Sequence, residues 1–265
     1  MSEAEVLVYE EKELRDPIAI IGFPTVGLVG SIVASFIARD LKLDITGGIT
    51  SRDLPPYTLV QSGQPLPQIR IYAGSLPKAK RKKKTEVSEQ PAADEVPAKK
   101  PRAKTRDVII VTSEVAPKPE DTYDLSKCVY ETVRAMGATT IICLEGVPRM
   151  GQDDRIMGVA TTREGAIFLE EIGLTVMGEG IVRGITGVIL MLGMKDRVDV
   201  KAILCPANPQ LPDPRSAARI IGPLQAIMPR LSVDTDPLFK EAEEIDNRIQ
   251  AQQASADQGP DNIYG

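Results

Sequence analysis

A stretch near the amino terminus, residues 16–41, constrains the fold of this chain more than any other part of it. The run Ile18 to Ile21 is apolar at every position, as in the central strand of a parallel sheet that is covered on both faces. Three glycines, Gly22, Gly27 and Gly30, follow, and they allow the chain to turn and the next apolar helix to lie close to the sheet. The stretch therefore predicts the first half of a βαβ unit.

The glycine-bearing turn, Gly22 to Gly30, also suggests a phosphate-binding loop. The NTPase loop ends in Gly-Lys-Ser/Thr, whereas here Gly30 is followed directly by Ser31, with no lysine between them. The dinucleotide fingerprint Gly-x-Gly-x-x-Gly is interrupted by Pro24. Backbone amides at a helix amino terminus can still bind an anion. The alternative function is therefore a small-molecule or nucleotide-binding α/β enzyme that uses this loop, although we favour tight packing of the helix on the sheet.

The chain contains no histidine, which removes the usual general base near neutral pH and most transition-metal sites. Cys128, Cys143 and Cys205 lie far apart in apolar surroundings, so we expect reduced core thiols and not disulfides or metal ligands. Tryptophan is absent and aromatic residues make up 4% of the chain, which leaves few platforms for base stacking. We expect no metal, no other cofactor and no enzymatic activity.

Carboxylates near the predicted sheet are the remaining catalytic candidates. Glu145 follows a predicted core strand, at the end where α/β sheets bind ligands. Asp153, Asp154 and Glu179 lie in loops farther along the chain. Carboxylates in such loops are usually only solvated, and no obvious nucleophile accompanies them. We therefore expect no catalytic residue.

Strands alternate with helices along most of the chain. Further buried strands are predicted at 107–112, 140–144 and 200–205. The alternating apolar and polar residues from Gln68 to Ala73 predict a half-exposed strand that is antiparallel to its neighbour. The pattern predicts an α/β fold with a mixed, mainly parallel central sheet flanked by helices.

Changes in composition predict the domain organisation. Residues 1–233 are expected to form one α/β domain, interrupted at 77–106 by a disordered insertion with almost no large apolar residues. Residues 234–253 are expected to form an amphipathic helix, and residues 254–265 a flexible tail. The apolar seam of this helix contacts either the parent domain or another subunit, and we favour the parent domain. The seam consists of Leu238, Ala242, Ile245 and Ile249.

The insertion is strongly basic, although the chain as a whole has a net charge of −5. From Lys78 to Arg106 there are eleven lysines and arginines against four acidic residues. Such a segment attracts nucleic acid, or any acidic surface, without specificity. We favour a solvated insertion, with docking on an acidic partner as the second interpretation, and we do not expect nucleic acid as a partner.

The apolar runs of the chain are short. None reaches the roughly 18 residues that a membrane span needs, and the first residues are acidic where a secretory signal would be basic and apolar. We therefore expect a cytoplasmic protein without a membrane partner.

The sequence ends in Ile263, Tyr264 and Gly265. A hydrophobic residue, a tyrosine and a last residue with a free carboxylate resemble the tail by which proteasome activators and assembly factors dock. The resemblance implies that Tyr264 and the carboxylate of Gly265 enter pockets between adjacent α-subunits, where a lysine neutralises the carboxylate. It also implies an apolar contact for Ile263. A stem of about twelve residues spans roughly 20 Å as a coil, which suits such delivery.

Together with this tail, several segments of the body resemble the archaeal proteasome assembly chaperone family. They are the glycine turn with its helix (20–37), an Asp-Leu-Pro-Pro turn (53–56), a predicted strand-helix-strand (107–146), a second glycine-rich helix start (181–193) and a late helix from Asp213. The resemblance covers roughly residues 15–250. The basic insertion departs from the family's pattern, in which that connection is short.

The resemblance implies a mixed α/β fold of phosphorylase-like architecture that lacks the catalytic residues of phosphorylases. It also implies a homo-oligomer that binds the α-subunits of the proteasome core particle without ATP, as an assembly chaperone or an activator. Ile263, Tyr264 and Gly265 are then the partner-binding residues.

Overall fold

The computed structural model describes residues 4–76, 106–149, 151 and 153–257, with side chains as far as residue 248. The described residues form a nine-stranded mixed sheet with helices on both faces, and a separate two-stranded hairpin. Nearly all of the predicted insertion and the last residues of the predicted tail lie outside the described residues.

The elements alternate along the chain as expected. The strands are β1 (Glu5–Val8), β2 (Ile18–Gly22), β3 (Asp44–Thr50), β4 (Leu59–Gln61), β5 (Gln64–Leu66), β6 (Ile69–Ser75), β7 (Asp107–Ser113), β8 (Thr140–Pro148), β9 (Met157–Ala160), β10 (Thr175–Val176) and β11 (Asp199–Ala207). The helices are α1 (Val29–Asp40), α2 (Thr122–Ala135), α3 (Arg163–Glu171), α4 (Gly184–Asp196), α5 (Pro214–Ile227) and α6 (Asp236–Asp257), and a short 3-10 turn, Val26–Leu28, precedes α1.

The sheet has the strand order β1-β3-β6-β7-β2-β8-β11-β9-β10. Its four central strands, β7, β2, β8 and β11, run parallel to one another. On one side β6, β3 and β1 continue the sheet in antiparallel pairs, and on the other side β9 is antiparallel to β11 and parallel to β10. The predicted α/β fold with a mixed sheet flanked by helices is confirmed, and its parallel part is the centre of the sheet.

Side chains of the central strands alternate between two buried faces. In β2, Ile18 and Ile20 belong to the hydrophobic cluster that includes α1, α5 and the start of α6. Ala19 and Ile21 belong to the cluster beneath α2 and α4. This burial on both faces is the reason why the strand shows no polar alternation.

The expectation of a half-exposed strand at Gln68 to Ala73 is wrong. The strand there, β6, pairs with both β3 and β7, and most of it is buried. Its polar position Arg70 is 5% exposed, donates a hydrogen bond to the Tyr72 hydroxyl (3.1 Å) and forms an ion pair with Glu114. The alternation therefore reflects a buried, paired charge and not a face open to water.

Arg106 marks the point where the chain re-enters the described fold. Its guanidinium forms an ion pair with Asp16 (3.0 Å) and donates a hydrogen bond to the Thr139 hydroxyl (2.7 Å). Arg106 thus links the amino-terminal ends of β2, β7 and β8, so it belongs to the body and not to the insertion predicted at 77–106.

The turn between β2 and α1 lies directly against β8. A Cβ atom on Gly30 would stand 2.3 Å from the carbonyl oxygen of Leu144, and one on Gly146 would stand 1.8 Å from the carbonyl oxygen of Val26. Both obstacles are backbone atoms, which cannot move aside as a flexible side chain can. The glycines are therefore spacers that let α1 start against the sheet, as the sequence interpretation favoured.

Gly30→Ala is expected to lower the free energy of unfolding by about 1–3 kcal/mol, because the added methyl group overpacks a backbone contact. Gly178→Ala is the matched control, since a Cβ atom there meets nothing within 4 Å. Urea denaturation of both variants measures the difference. Equal stability of the two would contradict the spacer role of Gly30.

Candidate functional site

The C-terminal helix α6 packs on the body through its first turns. Leu238 is 1% exposed and Ala242 is 4% exposed, and the helix lies against α5. An ion pair between Arg215 and Asp246 (2.7 Å) adds a second contact. The prediction that the seam contacts the parent domain is confirmed at Leu238 and Ala242, whereas Ile245 is only half-buried.

The backbone of α6 continues to Asp257, beyond the expected end at Gln253. The side chain of Ile249 and the three predicted docking residues, Ile263, Tyr264 and Gly265, lie outside what the structure describes. The docking role of the tail therefore stays a prediction from the sequence.

A cavity of about 750 Å³ opens at the carboxyl ends of β8 and β11. It lies between these strand ends and the loop 177–184 that leads into α4, at the edge where α/β sheets place ligands. Its walls are mostly apolar. They include Val26, Val147, Met157, Met177, Val182 and Leu204.

Glu145 is the carboxylate that the fold places in this cavity. It lies inside β8, in register with Leu204 of β11, and not in the loop after the strand as the sequence suggested. Burial raises the pKa of its carboxyl group to about 6, and a hydrogen bond with Thr186 of α4 opposes part of this shift. Glu145 is therefore ionised at neutral pH but protonated more easily than an exposed glutamate.

Two residues of this region were not singled out from the sequence. Thr186 is buried in the first turn of α4 and is the hydrogen-bond partner of Glu145. The hydroxyl of Thr25 accepts a hydrogen bond from the backbone amide of Gly146 (2.9 Å). Each of these two residues contacts a partner that is distant in the sequence. The sequence signal that could have found them is the glycine-rich start of α1 and of α4.

The other candidate carboxylates are engaged or exposed. Asp153 also lines the cavity, but the Arg155 guanidinium, 2.7 Å away, holds its pKa down at about 2. Asp154 forms ion pairs with Arg149 (3.2 Å) and Arg219 (2.9 Å). Glu179 is exposed. Glu145 is thus the one of the four that combines burial with a place in the cavity.

A larger depression of about 1010 Å³ lies between β1 and α2. Lys12 at its edge is engaged with Asp44 (2.9 Å) and Glu10 (3.5 Å). The charge of Lys12 is thus already paired, in contrast to that of Glu145. We therefore place the candidate ligand site at the carboxyl edge of the sheet.

The three cysteines are free thiols, as expected. Cys143 and Cys205 are buried and Cys128 is half-buried. Burial raises the pKa of Cys205 to about 11 and that of Cys143 even further, so both thiols are protonated at neutral pH.

In the part of the chain that the structure describes, no helix is long and apolar enough to cross a membrane.

The model of the PAC2 family matches residues 19–253. The chain belongs to the PAC2 family. This confirms the family that the sequence indicated. An uncharacterized protein of Methanocaldococcus jannaschii is 26% identical over 239 residues, which cover 89% of this chain and 85% of the relative.

Two solved archaeal structures share the fold of this chain. PbaA of Pyrococcus furiosus, an archaeal homolog of proteasome-assembly chaperone, is 24% identical and superposes with a TM-score of 0.75 over 96% of this chain and 93% of that chain. PbaB of the same organism, an archaeal proteasome activator, is 20% identical, with a TM-score of 0.75 over 96% of this chain and 100% of that chain. At these identities the likeness establishes the fold.

Leu238→Ala is expected to lower the free energy of unfolding by about 2–5 kcal/mol, because it leaves a cavity between α6 and the core. Phe239→Ala is the matched control, since the neighbouring Phe239 is 43% exposed and its loss should cost about 1 kcal/mol or less. Thermal and urea unfolding measure both. Similar losses for the two variants would contradict the packing of α6 through Leu238.

Glu145→Gln is expected to change how stability depends on pH. The pKa of Glu145 is raised from 4.5 to about 6 in the folded state, so the folded protein loses stability as the pH rises through this window. The shift corresponds to about 2 kcal/mol. As the pH rises from below 4.5 to above 6, the free energy of unfolding of the variant should therefore increase relative to that of wild type by about this amount. A difference that is flat with pH would show that Glu145 titrates normally.

Proposed function

We propose that this protein is an ATP-independent, homo-oligomeric factor that binds the proteasome core particle as an assembly chaperone or activator. The observation that carries the proposal is the likeness to PbaA and PbaB, which extends over almost the whole of each chain. The membership in the PAC2 family over residues 19–253 supports the same conclusion. The proposal requires no catalytic residue, metal or other cofactor.

The partner-binding element of the proposal is the segment Ile263, Tyr264 and Gly265. Tyr264 and the carboxylate of Gly265 would enter a pocket between adjacent α-subunits, with Ile263 in apolar contact and a lysine of the partner opposite the carboxylate. The helix α6, held on the body by Leu238, has its last described residue at Asp257. The six residues from there to Ile263 span at most about 20 Å, so the docking point would lie close to the end of α6.

Homo-oligomerisation strengthens docking of this kind. Each tail offers only two side chains and one carboxylate, which is a small contact. Several tails on one oligomer would bind a ring of α-subunits with an avidity that exceeds single-tail affinity by a factor of about 10²–10⁴. In this proposal the protein meets the core particle in the cytoplasm. Neither a membrane nor nucleic acid is a partner.

The contacts of the turn after β2 weigh against the enzyme alternative. The carbonyl oxygen of Leu144 lies where a side chain on Gly30 would be, so this glycine is explained by packing and needs no phosphate. The hydroxyl of Thr25 is already engaged by Gly146. Close packing against β8 therefore accounts for Gly30 and Thr25 without a bound nucleotide.

Tyr264→Ala, or deletion of residues 263–265, is expected to weaken binding to α-rings by about tenfold or more, because each removes a hot-spot aromatic. Co-sedimentation with assembled α-rings and surface plasmon resonance measure the loss. Asn262→Ala is the matched control within the same segment and should stay within about twofold of wild type. One serine added after Gly265 displaces the carboxylate and should act like the deletion.

Undiminished binding of both Tyr264→Ala and the deletion variant would overturn the tail mechanism. Native mass spectrometry of the complex gives the number of subunits, and a monomer on the ring would overturn the homo-oligomeric part. Added ATP should change neither result.

A further inference from the structure

Among the residues that the structure describes, Glu145 is a half-buried carboxylate without a cationic partner. It is ionised at neutral pH, and the one polar contact that acts on its pKa is the hydrogen bond with Thr186. No lysine or arginine among the described residues forms an ion pair with it. A buried charge of this kind is costly unless it is paired.

The arginines that border the cavity are not placed to neutralise Glu145. Arg155 is engaged in two hydrogen bonds with the carboxylate of Asp153, at 2.9 Å and 2.7 Å. Arg183, the residue before α4, is exposed at the rim. As far as the described residues go, the interior of the cavity therefore carries one negative charge without an ion-pair partner, set among apolar walls.

We propose that this cavity is a binding site for a small organic amine, whose protonated nitrogen pairs with Glu145 and whose apolar body contacts the walls. The volume of about 750 Å³ lies within the roughly 300–1,000 Å³ range of small-molecule sites. Apolar side chains such as Met177, Val182 and Leu204 provide the contact surface. Two flexible methionines, Met157 and Met177, let the walls adapt to the shape of the ligand.

The charge of the site selects among ligand classes. An anion such as a phosphate or a carboxylate would meet the negative charge of Glu145 in a poorly solvated space, which is repulsive. A neutral ligand would contact the apolar walls but leave the carboxylate of Glu145 unpaired. A protonated amine removes the cost of the buried charge and makes a charge-assisted hydrogen bond, which is the stronger kind.

The groups that face Glu145 make the binding dependent on pH. The other charged side chains that line the cavity are Arg155, Arg183 and Asp153. The Arg155 guanidinium holds the pKa of Asp153 at about 2, far below that of Glu145. The pKa of Glu145, about 6, means that its charge is lost as the pH falls through that value. Amine affinity should fall with it.

The test uses the full chain and three probes of one shape: benzylamine, benzyl alcohol and benzoate. Saturation-transfer NMR and calorimetry measure binding above and below the pKa of Glu145. Benzylamine is expected to bind saturably and at least about tenfold more tightly than benzyl alcohol, because a charge-assisted pair is worth that much. Benzoate should not bind.

Glu145→Gln should remove the preference for benzylamine over benzyl alcohol and the pH dependence together. Glu179→Gln is the matched control, because it makes the same change at an exposed residue of the nearby loop. It should leave affinity within about twofold. The comparison of probes on the wild-type protein remains decisive even if Glu145→Gln folds poorly.

Absence of saturable benzylamine binding, equal binding of benzyl alcohol, or unchanged binding in Glu145→Gln would overturn the proposal. The inference is independent of the proposed function. Glu145→Gln is expected to bind α-rings as wild type does, and Tyr264→Ala is expected to bind benzylamine as wild type does, so failure of one proposal is distinguishable from failure of the other.

Discussion

The close approach between the turn after β2 and strand β8 is the contact on which the rest of the structure depends. The carbonyl oxygens of Leu144 and Val26 occupy the positions that side chains at Gly30 and Gly146 would take. Because α1 is thereby seated against the sheet, packing explains Gly30 without a bound phosphate. The same strand then carries Glu145 to the opposite face, since successive residues of a strand alternate in direction. The favoured packing role of this turn and the position of Glu145 in the cavity thus both depend on strand β8.

The central strands were predictable because burial on both faces requires an uninterrupted run of apolar residues. Ile18 to Ile21 needs no information from elsewhere in the chain to be recognised as a core strand. Strand β6 was not predictable in the same way, because the sequence does not reveal whether Arg70 faces water or a partner. Glu114 lies far along the chain, beyond the basic insertion, and only the fold brings the two charges together. Local pattern specifies the strand, and long-range pairing decides its exposure.

The candidate site shows the same division. The place of Glu145 near the end of a buried strand predicted a ligand edge, and the structure puts the residue in a cavity there. Its raised pKa and its partner Thr186 were not predictable, since both depend on α4 crossing over β8. The docking tail is the reverse case. Ile263, Tyr264 and Gly265 form a pattern that is read from the sequence, and they lie outside the residues that the structure describes.

The unpaired charge of Glu145 lowers the stability of the fold by an amount that the fold tolerates. The cost of about 2 kcal/mol is a substantial part of the roughly 5–15 kcal/mol by which a domain is stable. We therefore expect such a carboxylate where a bound ligand can offset this cost. The cavity belongs to the face covered by α2 and α4, whereas Leu238 fixes α6 on the opposite face. A ligand beside Glu145 and a partner held by the segment after α6 would therefore use different faces of one sheet. Occupation of the cavity would then leave docking unobstructed, and any influence of one on the other would have to pass through the shared strands.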